Sequence, residues 1–298
     1  MFQKGRDHTF KLNDGRDLGY SIIGDIQGKP VLFFHGWPGT RLDVAYFTAE
    51  AKQLGIRLIS IDRPGCGLST YQKGREMSDL KDDILQLLDH LKIAKISVLG
   101  FSTGGVYALD LASTYPDRIN IVGIVSGVPY YKLEYEKKDY TNLVTAMRII
   151  PKIPFLGQLI TRIITDIGLN KYKRKPEKEF EKSIQKLPEI DKKTWNIPKL
   201  KRWFLDEYIP DLLESSRKGI TQDLMLLMKS FANPKERPSE IQDNFPVHFW
   251  HGFSDDVVPA TTSIQQTKLF KDSDLVIYLG EGHKVIYTHF QEIIRKII

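Results

Sequence analysis

Cys66 is the sole cysteine among the 298 residues, so no internal disulfide can form and stability has to come from packing. No apolar run reaches the roughly 18 residues of a transmembrane helix. The opening stretch MFQKGRDHTFKLNDGRDLGY has neither an apolar core nor a small-residue cleavage site. No secretory signal is expected there, and a cytoplasmic location is the working expectation. Also missing are a P-loop, a nucleic-acid-binding motif and any His/Cys cluster at metal-ligand spacing. The sequence therefore calls for no metal, no cofactor and no nucleic acid, and it is silent on oligomeric state.

What is present is ordinary in kind: 41% hydrophobic and 27% charged residues, with a formal net charge of +6. A chain of this length can bury roughly 75% of its unfolded surface. The basic excess is unevenly placed. Residues 130–237 hold 23 Lys and Arg against 15 Asp and Glu, densest at Lys171-Tyr172-Lys173-Arg174-Lys175. Such a run first suggests a solvated face; attraction to anionic substrates or lipid head groups is the sharper reading.

Short apolar runs alternate with helical periodicity in the first third. Phe10–Leu12 and Leu18–Ile23 flank the turn signal Asn13-Asp14-Gly15, which predicts a hairpin. Val31–Phe34, Arg57–Ile61, Ile96–Leu99 and Ile119–Val125 read as buried strands. Helices are predicted over Leu42–Leu54, from an N-cap at Ser78 through Leu80, Ile84, Leu87, Leu88 and Leu91, and over Thr103–Ser113. Strands and helices in this order predict βαβ units and a mostly parallel, twisted sheet with helices on both faces. From about Val128 to Pro238 only proline-interrupted helical periodicity remains. Strand–helix alternation resumes at Val247–Trp250, Ser263–Phe270 and Leu275–Leu279 and closes with Ile286–Ile297. The division expected is a core over 1–127 and 239–298 with a helical cap inserted over 128–238.

Gly100-Phe101-Ser102-Thr103-Gly104 lies between a predicted strand and a predicted helix. In that setting G-x-S-x-G places a serine on a strained turn with its hydroxyl raised above the sheet edge, and the glycines leave room for neighbouring elements. Serine needs a base to become nucleophilic. Of seven histidines, His283 alone falls in a glycine-flanked loop between a last strand and a last helix, whereas His248 and His289 read as packing residues. The base in turn needs an acid. Asp255 and Asp256, after the strand ending at Trp250, are the two candidates, with Asp255 preferred.

His35-Gly36-Trp37-Pro38-Gly39, Asp62-Arg63-Pro64-Gly65-Cys66-Gly67-Leu68-Ser69, Gly100–Gly104 and Gly252-x-x-Asp255-x-x-x-Pro259 with Gly282-His283 beyond it form a set. With them the chain resembles the α/β-hydrolase superfamily over nearly its whole length. The resemblance implies Ser102 as nucleophile, His283 as base and Asp255 as acid, four residues before the proline. It also implies an oxyanion hole from the backbone N–H groups of Trp37 and Thr103, a structural His35, and Trp37 and Phe101 beside the substrate. Family members that act on haloalkanes or epoxides carry aspartate at the nucleophile position, so Ser102 argues against both and leaves an ester, thioester, lactone, amide or carbon–carbon bond next to a carbonyl. The substrate expected is a small molecule with an apolar acyl group, cleaved at an ester-like carbonyl. The same triad could instead serve an aminopeptidase, a carbon–carbon bond hydrolase, a cofactor-free perhydrolase or a slow hydrolase-like receptor. An aminopeptidase would need acids such as Glu134, Glu136 or Asp139 near the substrate amine.

Leu143-Val144, Met147, Ile149-Ile150, Ile153, Phe155-Leu156, Leu159-Ile160 and Ile163-Ile164 make an apolar stretch. It is expected to pack against the core and roof the pocket, with docking to a lipid surface as the lesser expectation.

Overall fold

A computed structural model describes residues 6–130, 149–153, 156–232 and 244–298, with positions 133 and 145 between them. Its centre is an eight-stranded sheet: β1 (Asp7–Lys11), β2 (Asp17–Gly24), β3 (Lys29–Phe34), β4 (Ile56–Ile61), β5 (Ile96–Phe101), β6 (Ile119–Val125), β7 (Val247–Gly252) and β8 (Ser273–Tyr278). The spatial order is β1-β2-β4-β3-β5-β6-β7-β8. β1 and β2 form the predicted antiparallel hairpin, closed by Gly15 at φ +85°. β2 runs antiparallel to β4, and every pair from β4 through β8 is parallel.

Alternation along each strand divides the core. Leu32 and Phe34 of β3 face the layer containing α2 (Asp79–His90) and α3 (Gly104–Thr114). Val31 and Phe33 face the opposite layer, with α1 (Thr48–Gln53) and the closing helix. Both faces of the central strands are buried, as a parallel sheet requires.

Two local expectations are corrected. The run Leu42–Leu54 is not one helix: a 3₁₀ turn over Arg41–Phe47 precedes α1. Thr48 Oγ1 donates to the Ala45 carbonyl (2.8 Å), occupying an acceptor that a continuous α-helix would use. Ser78 makes no side-chain cap either; the Glu76 N–H is taken by Asp79 Oδ2 at 2.9 Å.

Between β6 and β7 the described residues form helices and no strand: α4 (Leu156–Arg174), α5 (Pro176–Ile184), α6 (Glu189–Trp195), α7 (Pro198–Trp203), α8 (Ile209–Glu214) and α9 (Arg217–Ala232). A π-turn over Phe204–Tyr208 joins α7 to α8. Phe180, Trp195, Trp203 and Tyr208 pack into the same cluster as Val125 and Phe101, so this block sits on the sheet's carboxyl edge. α10 (Thr261–Thr267) and α11 (Val285–Ile297) complete the fold. Among the described residues no helix is long and apolar enough to cross a membrane.

Candidate active site

All the motif loops emerge at one edge. The loop after β3 carries His35–Gly39, the turn after β5 carries Ser102, and the loops after β7 and β8 carry Asp255 and His283. Ligand sites of open parallel sheets form at this edge because the loops there converge.

Ser102 stands at φ +54°, a left-handed conformation that costs an L-residue about 1–2 kcal/mol. The turn is over-determined: the Ser102 N–H donates to the Val125 carbonyl, and the Ser102 carbonyl accepts from Gly105 and Val128. The motif glycines serve close approach. A Cβ on Gly104 would stand 2.0 Å from the Phe34 carbonyl oxygen, and one on Gly100 would stand 2.7 Å from the Gly104 carbonyl oxygen.

The three sequence-selected side chains meet in hydrogen-bond order. Ser102 Oγ lies 3.0 Å from His283 Nε2, and His283 Nδ1 lies 2.7 Å from Asp255 Oδ2. The acceptor at Nδ1 fixes the proton there, leaving Nε2 free to accept from the serine hydroxyl. Asp255 is buried and Asp256 is exposed. Asp255 Oδ1 accepts the N–H groups of Val257 and Val258, both at 2.9 Å. Burial pushes this carboxyl up, but the charge of His283 and hydrogen bonds from His251 and His283 outweigh it, holding Asp255 below the usual carboxylate range.

His251 has no assigned role in the sequence reading, yet it buttresses Asp255. Its Nε2 faces two acceptors, Asp255 Oδ2 (3.0 Å) and the Val258 carbonyl (2.9 Å), while Nδ1 meets Ser263 Oγ at 2.7 Å. The available signal was its spacing, four residues before Asp255 at a strand end. His248 is buried on β7, and His289 stacks on Tyr278.

The backbone N–H groups of Trp37 and Thr103 donate to no described residue. Gly36 brings their loops together, since a Cβ there would stand 3.3 Å from Ser102 Cβ. Trp37 and Phe101 line the cavity, and Trp37 Nε1 donates to the Ile220 carbonyl (3.1 Å). His35 is fully buried and held neutral by burial and by Arg63, in keeping with a structural residue.

A buried ionic cluster supports the His35–Trp37 loop. Arg63 donates to the carbonyls of His35 (2.6 Å) and Gly36 (2.8 Å) and, through Nε, to Asp223 (2.8 Å). Asp223 belongs to α9 and also accepts from Arg75 (2.7 Å) and Tyr107 (2.8 Å). Removing one partner from such a cluster strands the remaining charges in low dielectric. Asp223→Ala is therefore expected to cost about 3–5 kcal/mol, measured by chemical denaturation, with a matching fall in melting temperature.

The cavity over Ser102 measures about 510 Å³ and is lined mainly by apolar and aromatic side chains, among them Leu169, Phe180, Trp195, Trp203, Phe204 and Leu212. Besides His283, two carboxyl groups and one amine interrupt it: Asp43, Asp191 and Lys284. Asp43 is buried with one oxygen, Oδ1, lacking a hydrogen-bond partner. Lys284 places its ammonium over the rings of Phe101 (5.3 Å) and Trp195 (5.4 Å). Burial pushes Asp43 up to about 8, against the pull of Lys284 and Arg63. Burial also lowers Lys284, against the carboxylates of Asp43, Asp191 and Asp255. None of the three was singled out from the sequence. Among the described residues no group of three His, Cys, Asp or Glu could hold a metal.

The Asp43 shift has a pH signature. In the unfolded chain the group loses its proton near its ordinary 3.8; in the fold it keeps it to about 8. Between these values the native state binds the extra proton, so this contribution is present below pH 4 and is lost as pH rises to 8. Its slope is about 1.4 kcal/mol per pH unit. Asp43→Asn is expected to melt with the wild type at pH 4 and above it at pH 8, as followed by circular dichroism.

This fold and this edge define an α/β hydrolase. A family model described as alpha/beta hydrolase fold matches residues 29–290, and the chain belongs to that family. It is 34% identical over 127 residues to a Bacillus subtilis protein described as uncharacterized hydrolase YcgS, a match covering 43% of this chain and 44% of that one. It is 23% identical over 298 residues to the AB hydrolase superfamily protein YisY of the same organism, covering 96% of each. The chain thus spans less than half the length of the first relative and nearly all of the second. Among solved structures, an esterase from Exiguobacterium antarcticum superposes with a TM-score of 0.65 at 18% identity, covering 97% of each chain, a likeness of fold.

Proposed function

We propose that this protein is a serine hydrolase that cleaves carboxylic esters of apolar acids through an acyl-enzyme. The observation that carries this reading is the Ser102–His283–Asp255 hydrogen-bond chain at 3.0 and 2.7 Å, opening into a largely apolar cavity of about 510 Å³.

Ser102 Oγ attacks the ester carbonyl carbon as His283 Nε2 takes its proton, and Asp255 stabilises the resulting imidazolium. The oxyanion that forms accepts from the N–H groups of Trp37 and Thr103, which have no competing partner among the described residues. His283 returns the proton to the leaving alcohol, then activates water to release the acid and regenerate Ser102. In this reading residues 128–238 are a cap, whose aromatic underside excludes water and receives the acyl chain.

A series of p-nitrophenyl esters of increasing chain length tests the assignment. The best ester is expected to reach a kcat/KM of at least about 10⁴ M⁻¹s⁻¹, with aminoacyl p-nitroanilides far slower. Negligible turnover of every ester, combined with ligand-raised melting temperature, would instead indicate a receptor. The acids named for an aminopeptidase, Glu134, Glu136 and Asp139, lie outside the described residues.

A further inference from the structure

The apolar stretch expected to pack inward does so only in part: Ile150 packs against the core and Ile164 lines the Ser102 cavity, but most of its large side chains in and before α4 are turned to solvent. In α4 the buried residues are Gly157, Thr161, Thr165 and Leu169. They lie four apart and form one helix face. Gly157 presses so closely on the preceding turn that a Cβ would stand 2.2 Å from the Ile150 carbonyl oxygen. Thr161 Oγ1 donates to the Gly157 carbonyl (2.8 Å) beside Met225 Sδ, and Thr165 repeats the pattern on Thr161 (2.9 Å). Small residues and threonines let α4 lie tightly against α9.

The large aliphatic residues consequently point outward. Leu156, Leu159, Ile163, Ile164 and Ile167 are each about half exposed, and Ile149 and Ile153 extend the patch before the helix. At 100° per residue, Leu159, Ile163, Leu156, Ile167 and Ile164 fall in one arc of about 140°. A continuous apolar face turned to solvent marks an interaction surface.

Charge at its border selects the occupant. Lys171 and Arg174 follow Ile167 by four and seven residues, so they continue the same face, and both are exposed. Lys152 and Arg162 are exposed nearby. The acidic residue of the helix, Asp166, is already engaged by Arg217 (2.9 Å) and Arg162 (3.8 Å). The same helix lines the Ser102 cavity through Thr165, Gly168, Leu169 and Tyr172, with Ile164 at the border between cavity and outer face.

We propose that α4 docks on an anionic lipid surface, its leucines and isoleucines entering the acyl boundary and Lys171 and Arg174 meeting the lipid phosphates. Docking of this kind does not depend on the ester-hydrolase reading, because it is measured without turnover.

The test is co-sedimentation of the purified full chain with vesicles of phosphatidylcholine alone or mixed with phosphatidylglycerol, at low and high salt. Binding is expected on the mixed vesicles and should weaken with salt. Ile163→Glu with Ile167→Glu should cut the bound fraction's affinity about tenfold or more. Lys171→Gln with Arg174→Gln should abolish the preference for phosphatidylglycerol. Neither pair lines the cavity, so melting and turnover of a soluble short-chain ester should stay at wild-type values, which separates lost docking from lost folding. Failure of the wild type to sediment with mixed vesicles overturns the proposal, as does unchanged binding by the Glu variants. Light scattering that shows a dimer dissolved by the Glu substitutions, without vesicle binding, would assign the face to a second copy and equally overturn it.

Discussion

Ser102→Ala is expected to lower kcat/KM on the best ester by about a millionfold and to abolish labelling by a fluorophosphonate probe. The size follows from the reaction: among the described residues no other hydroxyl lies on His283 Nε2, so the covalent route is lost and only binding and the oxyanion donors remain. The backbone supplies a control. Alanine at φ +54° retains the strain of the turn, so its melting temperature should match the wild type. Ser102→Gly should be equally inactive but more stable by about 1 kcal/mol, because glycine adopts that conformation without penalty. An alanine variant still labelled by the probe would move the nucleophile elsewhere.

Asp255→Asn should reduce kcat by about 10⁴-fold while leaving the fold in place. Asparagine keeps the acceptor that Val257 and Val258 require, but it cannot accept both the His283 and His251 N–H groups as a carboxylate does. The imidazole then loses the partner that holds its proton on Nδ1, and the imidazolium formed during attack loses its counter-charge. Asp256→Asn, one residue on and exposed, should stay near wild type. Steady-state kinetics on the same ester decide between them, and a larger loss at position 256 would reverse the assignment.

The residues legible in the sequence are those whose motifs encode backbone shape. Gly100 and Gly104 are there because a side chain would collide with Gly104 or Phe34, so the motif carries its own geometry. Gly252 likewise lies against Gly282, where a Cβ would stand 2.1 Å from the carbonyl oxygen, tying the acid loop to the histidine loop. Alternating apolar strands made the sheet readable for the same reason. Contacts fixed by tertiary closure left no such trace. Arg63 and Asp223 are 160 positions apart, and nothing local to either marks the other. Asp43 reads as an ordinary first-turn acid, and Lys284 as one more surface lysine. Helical periodicity gave α4 two distinct faces, but not which of them would meet water. The usual assumption that aliphatic residues turn inward fails for Leu156, Leu159, Ile163 and Ile167 because the glycine and threonine face packs closer.

The Asp223 cluster has a consequence for engineering. Arg63 and Arg75 belong to the sheet-edge loops, whereas their shared counter-ion is supplied by the helical segment threaded between β6 and β7. Grafting that segment from another hydrolase would therefore transplant more than a substrate pocket. Unless the donor brings a carboxylate to the position of Asp223, the guanidiniums of Arg63 and Arg75 are left without their shared counter-ion, and the Arg63 contact that anchors the His35–Gly36 carbonyls loses its support even though every residue of the recipient loop remains unchanged.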